Sequence, residues 1–516
     1  MKRPGARNSR AGAALVVTAL TVLGFAIRVR VAGQSVFADE LSTYWIVSSH
    51  DLGGVLSTVH SNAEITPPLS FVLTWLATRA GLSPELLRAP ALIAGTTSIP
   101  LAYLIGVRTV GRFAAILAAA LTALAPFMIY YSGEARGYGV AVALVMVSTL
   151  SMLRALDSGR ARWWLVYGAA SCAAVYTHYT TVFVLAAQLA WLLWAERAAW
   201  RPAVLANVGA VVCFVPWLSG LANDLSSPTT AILSRLSPFT PDAARIVLEH
   251  WSIGYPYAVV PLRQLPGVPA LALLALGLAG ALVGLGRSAR RARRRLDAVG
   301  LDRRLVLVLA LALAAPVGEA LVSAVATHLF GTRNLAVSWP WFALTFAAVL
   351  AAAGPRLRLL ATALVVASFA FGAAKMLAPR FQRPDYRALA RFVERTASPG
   401  DVVIEGKILS PGPLSGLDAA LDGPFRVFRA GQPQERDHPF AVFDPVLPLA
   451  EVGRQAARAA QGRRIFVVAT KETVDLLGHQ VGDGWLDRYR RVEVVSWPGI
   501  IRLAVGVYAR RPSPRG

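Results

Sequence analysis

The sequence predicts a polytopic α-helical membrane protein of about 11 transmembrane helices, followed by a water-soluble α/β domain. Three observations carry this. The 516-residue chain is 55% hydrophobic and only 16% charged, with a mean hydropathy of +0.51. A soluble globular chain holds about 25% charged residues. Apolar runs near the ~20 residues that a bilayer crossing requires recur as far as Leu377 and then stop. Arginine gathers in the short breaks between those runs, the distribution that marks cytoplasmic loops.

Taken in order, the basic N-terminus (Lys2, Arg3, Arg7, Arg10) precedes a first helix at 11–32. No small-x-small cleavage site follows, so this reads as an uncleaved helix rather than a signal peptide. Further crossings are expected at 88–107, 113–131, 137–156, 163–178, 181–196, 203–221, 266–286, 305–328, 337–353 and 357–377. The breaks holding Arg108 and Arg112, Arg160 and Arg162, Arg197 and Arg201, Arg356 and Arg358, and the arginine run 287–295 should all be cytoplasmic. The alternate loops, led by 33–87 and 222–265, then face outward. The segment 67–80 is apolar but too short to cross, and is expected as an interfacial or re-entrant helix on the outer face. Residues 1–378 thus form the membrane region, and 379–516 a soluble extracytoplasmic domain. In that tail the spacing predicts helices at 385–396, 451–461 and 472–481, and strands at 401–405, 464–470, 492–497 and 501–509. It holds no G-x-G-x-x-G or P-loop sequence, so no nucleotide is assigned to it.

A net charge of +23 would suggest nucleic acid in a soluble protein. Here the charge sits in membrane loops, where it sets orientation instead. The two cysteines, Cys172 and Cys213, lie within apolar runs and offer neither a disulfide framework nor a thiolate metal site.

The outer loops collect a specific polar set. Asp39 and Glu40 stand in the apolar stretch Ser-Val-Phe-Ala-Asp-Glu-Leu-Ser, and acids at the lip of a bilayer are costly unless used. With them come Glu64, Glu134, Arg136, Tyr138, Tyr176, His178, Tyr179, His328, Arg333 and Asn334. A carboxylate there can take a proton from an acceptor hydroxyl as it attacks an anomeric carbon, which points to Asp39. An arginine fork can neutralise a phosphate leaving group, which points to Arg333. Arg28 and Arg30, at the outer end of the first helix, break the charge rule; they meet a lipid phosphate or snorkel to headgroups. Glu134 with Arg136 also reads as a structural ion pair, and His178 as an interfacial aromatic-belt residue. The expected site is an outer-face cavity lined by Asp39, Glu134, His178 and Arg333.

The series Phe-Ala-Asp-Glu-Leu-Ser-Thr-Tyr at 37–44, Thr-Pro-Pro-Leu-Ser-Phe at 66–71, Tyr-Ser-Gly-Glu-Ala-Arg-Gly-Tyr at 131–138 and Tyr-Thr-His-Tyr at 176–179 resembles the GT-C glycosyltransferases. It is most similar to the protein-mannosyltransferase-like branch, glycosyltransferase family 39 and its relatives. The likeness covers about residues 11–220. The Gly-Thr-Arg-Asn-Leu stretch at 331–335 and the tail's 385–392 and 399–403 resemble later family features more weakly. The chain departs from the pattern at Thr66, where relatives carry His, and at Gly133, where they carry Gln. The resemblance implies an inverting transferase that uses a polyprenyl-phosphate sugar on the outer leaflet, with Asp39 as catalytic base and Glu134 as the acid of the second outer loop.

The expected function is therefore transfer of a sugar, mannose or arabinofuranose, from a polyprenyl phosphate to a cell-envelope glycan, lipid or protein. Asp39 is the catalytic residue. Glu40, Glu134, Arg136, Tyr138, His178, Tyr179, Arg333, Arg28 and Arg30 contact substrate. The setting is the inner membrane of a bacterium, with a cytoplasmic N-terminus and an extracytoplasmic active site. The donor carries its own leaving group, so no cofactor is required; a divalent metal is left open. The alternatives are a flippase of lipid-linked sugars, against which the lack of an internal repeat argues, and a non-catalytic scaffold with a degenerate site.

Overall fold

The computed structural model describes residues 4–61, 64–227, 239–257, 259–292, 302–406, 414–430, 449–479 and 488–512. Arginines 293–295 and the part of the outer loop 222–265 at 228–238 lie outside them. The chain forms two compact units: Met1–Ala32 with His50–Met376, and Gly33–Ser49 with Leu377–Gly516.

Among the described residues the regular structure of the first unit is all helical. Among the described residues seven helices are long and apolar enough to cross a membrane: Ala11–Ala32, Ala89–Thr109, Tyr138–Ser158, Arg197–Leu225, Arg263–Arg287, Arg303–Val325 and Pro355–Met376. The pair Arg112–Leu124 and Pro126–Ser132, bent by 60°, makes an eighth if taken as one span. Each of the remaining expected crossings forms a helix, but a short one: Ala161–Val175 and Thr181–Ala195 have 15 residues each and Trp339–Ala351 has 13. A 15-residue helix is about 22 Å long against a hydrocarbon layer of about 30 Å. The expected eleven crossings thus become seven or eight by length and apolarity. The segment expected at 67–80 is the short helix Leu69–Ala77 with a 3-10 turn Thr78–Ala80.

The 60° bend has a local cause. Pro126 has no N–H to give the carbonyl four residues back, that of Thr122, and it forces Ala125 into an extended conformation (φ −66°, ψ 123°). Arg28 fills the gap. Its guanidinium donates to the Thr122 carbonyl at 2.7 Å, to that of Ala123 at 3.0 Å, and to Gly24 in its own helix at 3.0 Å. Arg28 is fully buried there. This corrects its expected role: a guanidinium turned onto main-chain carbonyls inside the helix packing is not at a lipid phosphate. Arg30, in the last turn of the same helix, is exposed.

The second unit is a mixed five-stranded sheet of order β2-β1-β3-β5-β4. Its strands are β1 Val402–Gly406, β2 Arg426–Ala430, β3 Ile465–Thr470, β4 Tyr489–Trp497 and β5 Leu503–Arg510. β2, β1 and β3 run parallel; β5 is antiparallel to both β3 and β4. The strand period of two sorts the core. Val402 and Ile404 join Ile465, Val467, Val452 and Ala456, the last two from the helix Leu449–Ala460. Val403 joins Phe466, Val468, Leu389 and Val393 on the opposite face, where the helix Tyr386–Thr396 packs. That helix starts where Asp385 accepts the Ala388 N–H at 2.9 Å, a side-chain N-cap. The expected tail elements are all present. β2 is an addition: arginines 426 and 429 bracket half-buried Val427 and Phe428, which is not the period of two that marks a strand.

Candidate active site

Asp39 and Glu40 belong to the second unit. Asp39 opens the helix Asp39–Ser49 and is half-buried. The residue before it, Ala38, has φ +54°, a left-handed conformation uncommon for a residue with a Cβ. Such strain persists only where the surroundings fix it. Here they do so on both sides. Phe37 is 2% exposed and sits in the sheet core with Tyr386, Leu389 and Phe466. Glu40, fully buried, accepts the Phe37 N–H at 3.4 Å and faces Arg383 at 3.3 Å. Upstream, the Gln34 side chain accepts the Arg383 N–H at 3.0 Å, the Ser35 hydroxyl accepts that of Arg387 at 3.1 Å, and Arg387 donates to the Gly33 carbonyl at 3.3 Å. The stretch carrying the candidate base is therefore pinned to residues 383–393 by an ion pair, three hydrogen bonds and the packing of Phe37. Glu40, expected to touch substrate, is held in this buried ion pair.

The other expected residues belong to the first unit, where loops bring most of them together. Arg136 forks onto Glu64, with N–O distances of 2.7 and 2.9 Å, both side chains nearly buried. This bidentate geometry is the strong form of the contact. It gives Arg136 a partner in Glu64, where the sequence suggested Glu134. Glu134 instead accepts from the Tyr130 hydroxyl at 3.3 Å, and Tyr130 meets the Tyr257 hydroxyl at 2.7 Å. Tyr138 lies between Tyr131 and His178, with ring centroids 5.0 and 5.1 Å away. His178 is buried, with Nδ1 2.9 Å from the Thr180 hydroxyl. Burial pushes its pKa down to about 3, and the charges of Arg136 and Arg333 push the same way. It is a neutral imidazole at any working pH. Arg333, half-buried in the turn after Gly331, is within electrostatic reach of His178 and Tyr131. Glu134, Arg136, Tyr138, His178 and Arg333 thus form one constellation.

Tyr179 turns to a different partner. Its hydroxyl donates to Asp224 and accepts from the Trp217 indole at 3.2 Å. Burial and the Asp224 carboxylate hold this phenol far above its ordinary pKa. Two acids went unread in the sequence. Asp224 stands at the edge of the expected outer loop 222–265, where an acid gives no signal of its own. Glu319 is buried inside the apolar helix Arg303–Val325. An acid within an apolar run is a signal that could have singled it out. Among the described residues no three His, Cys, Asp or Glu side chains stand close enough to hold a metal ion.

This fold and constellation define a polytopic membrane protein with a polar face built from interhelical loops. Residues 66–219 match the family described as dolichyl-phosphate-mannose-protein mannosyltransferase. The chain is similar to that family over this segment. Its fold is similar to that of the oligosaccharyltransferase of Archaeoglobus fulgidus, solved with a tethered acceptor peptide. The TM-score is 0.51 at 13% identity, over 90% of this chain and 69% of that one. ArnT from Cupriavidus metallidurans, solved bound to undecaprenyl phosphate, aligns at TM-score 0.47 and 14% identity over 96% and 97% of the two chains. No curated protein sequence matches this one.

Proposed function

We propose that this protein moves a sugar from a polyprenyl-phosphate donor to a cell-envelope acceptor, with inversion at the anomeric carbon. The observation that carries the reading is the convergence of the loop holding Glu134, Arg136 and Tyr138 with His178 and Arg333, which stand far from it in sequence. Four of these five, Glu134, Arg136, Tyr138 and His178, lie inside the segment that matches the family. A polyprenyl phosphate as donor chemistry fits a cluster that offers arginine at a membrane-protein loop face.

In this mechanism Asp39 is the general base. As the acceptor oxygen forms its bond to the anomeric carbon, its proton passes to the Asp39 carboxylate. The bond between that carbon and the phosphate oxygen breaks, and its electron pair leaves with the phosphate. Arg333 stabilises the charge that builds there. Neutral His178 contributes a hydrogen bond rather than a charge. Arg136 is held by Glu64 and orients the loop it shares with Glu134. The outer leaflet of a bacterial inner membrane is the setting this chemistry suits, because lipid-linked sugars are used there in place of nucleotide sugars.

The test is transfer by the purified full chain in nanodiscs, supplied with polyprenyl-phosphate mannose or arabinofuranose. The expected result is free polyprenyl phosphate together with a product of inverted anomeric configuration. Lipid translocation without cleavage of the sugar–phosphate bond would identify a flippase instead. Arg333→Ala should weaken donor binding and also slow transfer, since it acts on a charge present in the donor and enlarged in the transition state.

A further inference from the structure

The second unit carries a concavity of about 410 Å³, lined by Arg454, Arg458, Gln461, Gly462, Arg488, Tyr489 and Arg510. Four guanidinium groups share this one hollow. Arg454 and Arg458 lie one turn apart near the end of the helix Leu449–Ala460, a spacing at which like charges repel. Arg510 ends β5 directly opposite Tyr489 of β4, and Arg488 precedes it. The Arg510 guanidinium lies against Gly462, where a Cβ would come within 3.0 Å of it.

Elsewhere this unit pairs several of its arginines with acids. Arg464 meets Asp401 at 2.8 Å, Arg429 meets Glu405 at 3.4 Å, and Arg383 meets Glu40. Among the described residues none of the four pocket arginines makes an ion pair or a side-chain hydrogen bond. A second feature marks the same place. Gln461 has φ +48° and Gly462 φ +89°. A left-handed residue bearing a side chain is uncommon, and strain of this kind gathers at functional positions. Both residues line the hollow.

We propose that this hollow binds a compact ligand carrying two phosphoryl groups. The volume suits a small molecule, since such pockets run from roughly 300 to 1,000 Å³. Each phosphoryl group brings a charge of about −1.5 to −2 and three acceptor oxygens. Two of them balance four guanidinium groups, whereas one carboxylate leaves most of the positive charge uncompensated. Planar arginine forks, rather than lysines, are the side chains matched to phosphate oxygens. The ligand is either a soluble diphosphate or phosphoryl groups of lipid heads, and the site is independent of the transfer reaction proposed above.

The experiment uses the full chain in phosphatidylcholine nanodiscs, titrated calorimetrically with inorganic pyrophosphate at low salt. Saturable binding at one site is expected, tighter than that of orthophosphate. Arg458→Gln with Arg510→Gln should weaken it at least about tenfold, with the unfolding temperature unchanged; Arg454→Gln alone, expected to weaken it about threefold, serves if that double variant does not fold. Arg391→Gln with Arg395→Gln removes the same charge from an exposed helix face outside the hollow and should leave affinity as it was. Replacing part of the lipid by phosphatidylglycerol separates the sources. Competition with pyrophosphate identifies headgroups as the ligand, and its absence a soluble one. The proposal is overturned if no saturable binding occurs, if orthophosphate binds as tightly, or if the control pair weakens binding as much as the pocket pair.

Discussion

Replacing Glu40 by Gln tests whether the Asp39 turn is held from the C-terminal sheet. Glu40 and Arg383 are each 1% exposed, and their charged groups face each other at 3.3 Å. The substitution preserves shape and the hydrogen bond from Phe37, yet leaves Arg383 in the interior facing no charge from this side. Breaking a buried pair by removing one partner costs about 3–5 kcal/mol. Against a usual domain stability of about 5–15 kcal/mol, that is a large fraction. Hydrogen exchange on the full chain should therefore speed up in peptides covering 386–396 and 402–405, and stay unchanged in the helices of the first unit. Replacing both partners, Glu40→Leu with Arg383→Met, should recover most of the protection, because an apolar pair of similar volume is often as stable as the ionic one. Sugar transfer should fall in Glu40→Gln, but less than in Asp39→Asn, since the base itself remains. The reasoning fails if exchange in Glu40→Gln matches wild type, or if the double variant is less protected than the single one.

Three further outcomes are expected. Asp39→Asn should lower turnover by roughly two to four orders of magnitude with donor binding intact, the scale of losing a general base; wild-type turnover at saturating donor would show that the base lies elsewhere. Ala38→Gly should be neutral or stabilising by up to about 1 kcal/mol, and Ala38→Val strongly destabilising, because the backbone there has φ +54°; equal melting temperatures would contradict this. Burial raises the Glu405 carboxyl to about 7 from 4.5, so the folded state holds a proton that the unfolded state has already released. The second unit should accordingly lose stability as pH rises from about 4.5 to 7 and change little from this source above that, and Glu405→Gln should flatten the profile.

The sequence shows the tail's architecture well because its signals are local. The run Ile-Phe-Val-Val-Ala can only be a strand buried on both faces, and Asp385 announces the helix that follows it. The membrane segments are legible for the same reason, though apolarity alone overstated how many are long enough to span. What was hidden depends on pairs far apart in the chain. Nothing near Arg28 shows that Pro126 leaves a carbonyl for it, and nothing near Glu40 names Arg383. Ala38 is hidden differently: a left-handed position is usually advertised by Gly or Asn, and here it is imposed on Ala by its neighbours. At the candidate site the Glu64 partner of Arg136 was likewise hidden, since the two stand far apart in the chain.

The placement of Gly33–Ser49 with Leu377–Gly516 has a consequence for biosynthesis. The whole stretch His50–Met376 is made between the two halves of that unit. At ribosomal speeds of about 5–20 residues per second, Phe37 waits on the order of half a minute before the sheet that will enclose it exists. Until then the left-handed turn at Ala38 has nothing to hold it, and Asp39 is an ordinary residue of a loose loop. A nascent chain can thus insert all its membrane helices while this turn is still unfixed, and a product that ends before β3 leaves it so. The last strands to leave the ribosome complete the setting of a carboxylate that was among the first residues to enter the membrane machinery.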